Sequence, residues 1–152
     1  MNYYNEIKEK LIDNEIYAKV KDYSKEQNRV KTYFEIGKLL SEAGSKYGES
    51  IINEFSKKLT IDVGKKYNYR TLYRMRKLYE IFVDEKLTTM LSKLTWSHYL
   101  LLLSFNDNNK IYYYIKITEE HNLDVRSLKK KILSNEYERL DEKTKEKLIN
   151  QE

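Results

Sequence analysis

Apolar residues recur at spacings of three and four along most of the chain, and that period predicts helices joined by short turns. Tyr3 or Tyr4, Ile7 and Leu11, then Ile16 and Val20, suggest either one N-terminal helix or two joined at Asn14. Ser24 with Gln27 three residues on forms a capping-box pattern, opening a helix whose face holds Val30, Tyr33, Phe34, Gly37 and Leu40. Gly44 is the expected stop. A further helix carries Ile51, Ile52, Phe55 and Leu59, and Gly64 breaks it within a short connection from Asp62 to Tyr67. Asn68 offers an N-cap for the next helix, whose stripe of Leu72, Met75, Tyr79 and Phe82 faces a core.

The second half continues in the same way. Leu87, Met90, Leu91 and Leu94 suggest a short helix, Thr95 caps another through Leu103, and Asp107 caps a third running to His121. Asn122 suits the left-handed position that ends a helix, and Asp124 restarts one with Val125, Leu128 and Ile132 inward. The stretch from Asp141 to Gln151 reads as a charged helix or a frayed tail. No period of two persists over a useful length, so strands are not expected. The pattern predicts an all-α fold, a compact multi-helix domain with helix-turn-helix-like units and a core containing Leu72, Met75, Tyr79, Phe82, Trp96 and Leu128.

Composition narrows the class. A chain of 152 residues matches one domain, long enough to bury roughly 70% of the surface its unfolded form exposes. With no proline and four glycines there is no linker to mark a domain boundary, so residues 1–152 read as a single domain. The absence of cysteine excludes disulfides, thiol nucleophiles and thiolate metal sites, and suits a reducing cytoplasm. Met1 to Leu11 lacks the apolar stretch of a secretory signal. The longest apolar run, Tyr99 to Leu103, is far short of the roughly 20 residues that a membrane span needs. A cytoplasmic protein with no membrane partner is therefore expected.

Charge points toward a partner. The net charge is +5, and the window from Gly64 to Phe82 alone holds six basic residues (Lys65, Lys66, Arg70, Arg74, Arg76 and Lys77) against one acid, Glu80. This window carries the equivalent of the whole excess. If Leu72, Met75, Tyr79 and Phe82 face inward, a turn of 100° per residue places Arg70, Tyr73, Arg74 and Lys77 together on the outer face. A helix, a short glycine-containing turn and a second helix is the layout of a helix-turn-helix, whose second helix enters the major groove. Arginine there pairs with guanine, while lysine and tyrosine reach phosphates. The unit from Asp107 to Leu133 likewise turns Arg126, Lys129 and Lys130 outward, with Lys131 nearer the flank. The same spacing also fits charges that only solvate a surface helix. Fifteen tyrosines and two alanines fit either an AT-rich coding bias or a tyrosine-rich binding face.

Several of these residues form an ordered set. Tyr33-Phe34-Glu35-Ile36-Gly37-Lys38-Leu39-Leu40, Tyr47-Gly48, Leu59-Thr60 and Tyr69-Arg70-Thr71-Leu72-Tyr73-Arg74-Met75-Arg76-Lys77-Leu78-Tyr79 lead to Leu94-Thr95-Trp96-Ser97-His98-Tyr99 and Asp124-Val125-Arg126-Ser127-Leu128. This set resembles the N-terminal domain of the YhcG-like nucleases, most strongly over residues 30–132, with 1–29 as a helical N-terminal extension and 135–152 as a charged helical tail. The resemblance implies a helical DNA-binding module, followed in longer members by a nuclease domain of the PD-(D/E)XK type. The chain ends about twenty residues after the recognisable part, so the nuclease is expected to be missing.

Other chemistry finds little support. A nuclease of that type needs carboxylates and a lysine on a sheet around a divalent metal. Glu6-Ile7-Lys8, Asp84-Glu85-Lys86 and Asp141-Glu142-Lys143 match acid-x-lysine, but in helical or turn context. His98 and His121 lack a partner at metal-ligand spacing, and His98 is expected to order the start of its helix or to pack beside Trp96. Trp96 reads as a core anchor rather than a base-stacking platform. No phosphate-binding loop or dinucleotide fingerprint occurs, so no cofactor and no enzyme activity are expected. Two function classes remain. One is a DNA-binding module, with duplex DNA as partner, acting with or against a nuclease system. The other is a protein-binding inhibitor of a nuclease or CRISPR effector, encoded by a phage or mobile element, since Tyr and Arg are enriched at interfaces.

Overall fold

In the computed structural model of the chain, residues 2–20 and 25–150 are described. Among the described residues the regular structure is entirely helical: α1 (Tyr3–Val20), α2 (Lys25–Tyr47), α3 (Ser50–Asp62), α4 (Tyr69–Phe82), α5 (Glu85–Thr88), α6 (Trp96–Leu100), α7 (Asn108–His121), α8 (Val125–Leu133) and α9 (Glu142–Asn150). The all-α expectation holds. None of these helices is long and apolar enough to cross a membrane.

Helix α2 is the hub, packing against α1, α3, α4 and α6. Its closest partner is α4, and Gly37 is the reason. A Cβ on Gly37 would stand 2.1 Å from the carbonyl oxygen of Met75 and 2.9 Å from Cβ of Tyr79. Only a residue without a side chain lets the two backbones meet there. Around that contact Ile36 and Leu40 of α2, Leu72, Met75 and Leu78 of α4, and Ile52 and Leu59 of α3 are buried. Ile7 and Leu11 bring α1 onto the same core.

One open expectation about helix ends is resolved and two are corrected. Of the one or two N-terminal helices that the sequence allowed, the chain forms one: α1 runs unbroken through Asn14 to Val20, and Asn14 is buried, accepting a hydrogen bond from Nδ2 of Asn28 at 2.9 Å. Ile16 and Val20, toward its C-terminal end, are exposed. Helix α2 passes through Gly44 to Tyr47 and ends at Gly48, whose φ of +94° lies in the left-handed region that glycine tolerates. Helix α6 ends at Leu100 instead of Leu103, and residues 101–104 continue as turns. Ser24, the expected cap of α2, lies outside the described residues, as does Gln151.

Most local signals hold. Asn68 accepts from the Thr71 amide at 3.1 Å, Asp107 from the Asn109 amide at 2.9 Å, and Asp124 from the Ser127 amide at 2.7 Å. Each such cap contributes about 1 kcal/mol by satisfying an orphan amide. Asn122 takes the left-handed position at the end of α7 with φ 49°. The segment between α5 and α6, which has little regular structure, is held by Tyr99. That fully buried ring stacks edge-on against Phe82 at 5.2 Å, and its hydroxyl donates to the Met90 carbonyl at 2.5 Å and accepts from the Leu94 amide at 3.2 Å. The core holds Leu72, Met75, Phe82 and Leu128 as expected, whereas Tyr79 and Trp96 are only half-buried at its edge. Trp96 meets Tyr33 edge-on at 5.0 Å, and Tyr79 meets Phe34 at 5.3 Å.

Two glycines of α2 should respond in opposite directions to the same change. Gly37→Ala forces the helices apart against backbone, costing about 2 kcal/mol or more after alanine's helical preference is counted, and should lower the thermal midpoint by at least about 4 °C. At Gly44 an added Cβ meets nothing nearer than 3.5 Å, so Gly44→Ala should raise the midpoint by roughly 1–4 °C. Thermal unfolding of the two variants followed by circular dichroism checks both.

Candidate nucleic-acid interface

The inner stripe of α4 is Leu72, Met75, Leu78 and Phe82, all buried, so the opposite face must meet solvent. Arg70, Tyr73 and Arg74 are exposed there, and Lys77 is half-buried at its margin. Among the described residues none of Arg70, Arg74 and Lys77 carries an ion pair. The helix begins at Asn68, whose backbone is extended (φ −78°, ψ 176°) and whose side chain caps the first turn. The connection before it, residues 63–68, is longer than the three or four residues of a short helix-turn-helix turn, and Tyr67 within it is completely buried.

Tyr67 explains that length. Its hydroxyl donates to the carboxylate of Glu15 on α1, so the connection is pinned across the molecule rather than left as a free turn. Glu15 also accepts an ion pair from Lys66 at 2.6 Å, and the Lys66 ammonium lies 5.2 Å from the Tyr67 ring centroid. These hydrogen bonds, from Lys66 first and then Tyr67, hold the Glu15 carboxyl below its ordinary range, against a smaller opposing effect of burial. Burial and the Glu15 carboxylate together push the Tyr67 hydroxyl far up. Of the two lysines expected to lead into the interface, Lys66 is thus engaged within the chain, and Lys65 is exposed without an ion pair among the described residues.

Arg76 and Tyr69 were not among the expected site residues, and the structure sets them beside Tyr73. The Arg76 side chain is only 13% accessible; its guanidinium pairs with Glu49, and Nε stands 3.4 Å from Oε1 of Glu80. The guanidinium also lies 5.4 Å from the centroid of Tyr73, and the Tyr69 and Tyr73 rings stack at 6.4 Å and 25°. A signal for this existed in the spacings Tyr69–Tyr73 and Arg76–Glu80, both four residues apart on a helix. The Glu49 contact joins residues 27 positions apart and had no local sign.

On α8, Arg126, Lys129 and Lys130 are exposed, while Lys131 pairs with Glu136 at 3.1 Å. Helix α8 packs on α6 and α7, whereas α4 packs on α2, α3 and α5, so the two basic sets sit on separate helix faces. His98 acts structurally. Its amide donates to the Thr95 hydroxyl oxygen at 3.3 Å, its Nδ1 lies 2.8 Å from that oxygen, and its Nε2 donates to the Leu123 carbonyl at 2.9 Å. One imidazole therefore caps α6 and ties it to the loop before α8, as its expected role in starting a helix requires.

The three acid-x-lysine triplets form no common centre. Glu6 and Lys8 lie on α1, Asp84 caps α5 and Asp141 caps α9. Lys86 points elsewhere, donating to Oδ1 of Asn109 and the Leu148 carbonyl at 3.2 Å each. Among the described residues no three of His, Asp and Glu cluster as a metal site would require. The model of one protein family, described as the DUF1016 N-terminal domain, matches residues 7–139. No match was found among curated proteins or among solved structures.

The Lys66–Glu15–Tyr67 contact predicts a specific response to acid. Because the folded-state pKa of Glu15 is lowered from 4.5, its contribution is fully present above that value and is lost as pH falls through the lower folded value. Glu15→Gln should cost about 1 kcal/mol at pH 7, roughly 2–4 °C in thermal midpoint, allowing for the partial exposure of the pair. Thermal midpoints of both proteins measured from neutral to strongly acid pH should converge once Glu15 is protonated; a constant gap would contradict a charge-based role.

Proposed function

The chain belongs to the DUF1016 N-terminal domain family, and from that premise we propose that it is a non-catalytic recognition module that binds duplex DNA through the outer face of α4. The observation that carries the reading is the set Arg70, Arg74 and Lys77, three cations on one face of one helix with no ion pair among the described residues. Elsewhere many basic side chains are spent inside the chain, as Lys10 is on Glu35, Arg29 on Glu26 and Lys110 on Glu138. A rigid helix offering unspent guanidinium groups suits both phosphate contact and guanine edges. Lys65 extends the positive surface at the start of α4, and Arg126, Lys129 and Lys130 of α8 supply a second basic face. The resemblance to the YhcG-like N-terminal domain, to which the family match corresponds, supports a role alongside or against a nuclease.

A protein partner is the second reading, favoured by the exposure of Tyr69 and Tyr73 next to arginines. The two readings differ in salt dependence. A titration of duplex affinity against salt should show a slope of about 0.9 log units per phosphate neutralised. Arg70→Ala, Arg74→Ala and Lys77→Ala together should flatten that slope by about 0.9 for each phosphate no longer neutralised, with the fold kept. A single arginine that reads a base should cost about 1–3 kcal/mol and relax sequence preference when replaced by alanine. Weak duplex binding, unaltered by the triple change, would instead favour the protein partner.

A further inference from the structure

Tyr69, Tyr73 and Arg76 stand at i, i+4 and i+7, so they fall in one row along the outer side of α4. The row is stacked: Tyr69 on Tyr73 at 6.4 Å and 25°, and the Arg76 guanidinium 5.4 Å from the Tyr73 centroid. One end is anchored, because Arg76 is held by Glu49 and Glu80 and is largely shielded from water. The other end is open. Tyr69 is 44% exposed, and its one aromatic neighbour among the described residues is Tyr73. Tyr67, Tyr99 and Tyr114 are completely buried, and although Tyr47 is also exposed and meets Tyr3 edge-on, the Tyr69–Tyr73 pair is stacked with both rings exposed. A ring already fixed against its neighbour loses little further freedom when something stacks on it.

We propose that Tyr69 receives one unpaired nucleobase, which adds a rung to the Tyr69–Tyr73–Arg76 row while Lys65, Arg70 and Arg74 hold the neighbouring phosphates. The ligand class is DNA with a single-stranded nucleotide beside a duplex, such as an overhang. This deepens the reading of α4 as the nucleic-acid face and rests on it. Inside a duplex both faces of a base are covered by its neighbours, and at a blunt end the single open face belongs to a base still held in its pair, so an unpaired base is the one free to turn its face onto the ring. Base–aromatic stacking of this kind tolerates any sequence, because every base has a π face. Arg76 is then a positioning residue: its cation is consumed by Glu49 and Glu80, and it stiffens the row rather than contacting phosphate.

The test compares blunt duplex DNA with the same duplex carrying a single-stranded overhang, at one fixed salt concentration, using the full chain. Tyr69→Ala should weaken overhang binding at least about fivefold, the effect expected for one stacked base. Blunt-duplex affinity should stay within about twofold. Tyr69→Phe keeps a stacking face and should retain overhang binding. Equal weakening on both DNAs, or none on the overhang, would overturn the inference, circular dichroism first verifying that each variant is folded. The Arg70→Ala, Arg74→Ala, Lys77→Ala protein separates the two levels. Should it fail to bind both DNAs while Tyr69→Ala binds both normally, only the stacking inference fails. Should it bind both normally, the α4 interface fails and the inference with it.

Discussion

How closely α2 and α4 can approach governs the rest of the domain. At Gly37 the carbonyl of Met75 occupies the space where any side chain would begin. That close approach places Leu72, Met75 and Leu78 on the α2 side of α4 and sinks them completely. It also locks the orientation that the apolar stripe of α4 selects, since a helix rotated against its partner cannot present a different stripe without opening the core. The apolar period of α4 selects the outward face that carries Arg70, Tyr73 and Arg74, and the close contact at Gly37 holds it in place.

Hydrophobic burial alone would leave neighbouring elements free to slide, and a set of polar contacts removes that freedom. Tyr67 to Glu15, Asn28 to Asn14, Tyr99 to Met90 and His98 to Leu123 each join separate elements through a buried or half-buried group. Tyr114 does the same near the C-terminus, accepting from the Tyr137 amide at 3.2 Å. A buried polar atom without a partner is costly, so each contact tolerates one arrangement and penalises its neighbours. Much of the tyrosine content is explained this way. These rings supply core volume, and their hydroxyls hold the connections and turns. The Tyr69–Tyr73 pair departs from that use.

The basic residues divide along similar lines. Lys66 and Arg76 belong to the same positive window as Arg70, Arg74 and Lys77, yet both are tied to carboxylates from other parts of the chain. A count of charge in that window overstates what is free to meet an anion. Within that window Lys65, Arg70, Arg74 and Lys77 remain without an ion pair among the described residues, and it is on this strip that membership in the DUF1016 N-terminal domain family acquires a physical hypothesis.

Local chemistry made much of this legible in the sequence. The caps at Asn68, Thr95, Asp107 and Asp124, the left-handed Asn122 and the inward stripe of α4 involve residues within about four positions of each other, where period and hydrogen-bonding capacity decide the outcome. The outward grouping of Arg70, Tyr73 and Arg74 followed from the same period. Asn14 left a join open and Gly44 looked like a stop because both residue types usually interrupt helices. A partner on α2 for Asn14, and continued packing of α2 on its neighbours past Gly44, override that tendency. The Lys66–Glu15, Tyr67–Glu15 and Arg76–Glu49 contacts were invisible for a related reason: the carboxylates lie far along the chain, 52 positions away for Tyr67 and 27 for Arg76, whereas the Arg76–Glu80 pair, four residues apart, carried a local sign. Helix type, caps and faces were determined by the sequence itself, because nearby residues settle them. Which cations stay free, and how closely two helices can meet, was decided only by the tertiary structure, because those depend on atoms that folding brings together from distant positions.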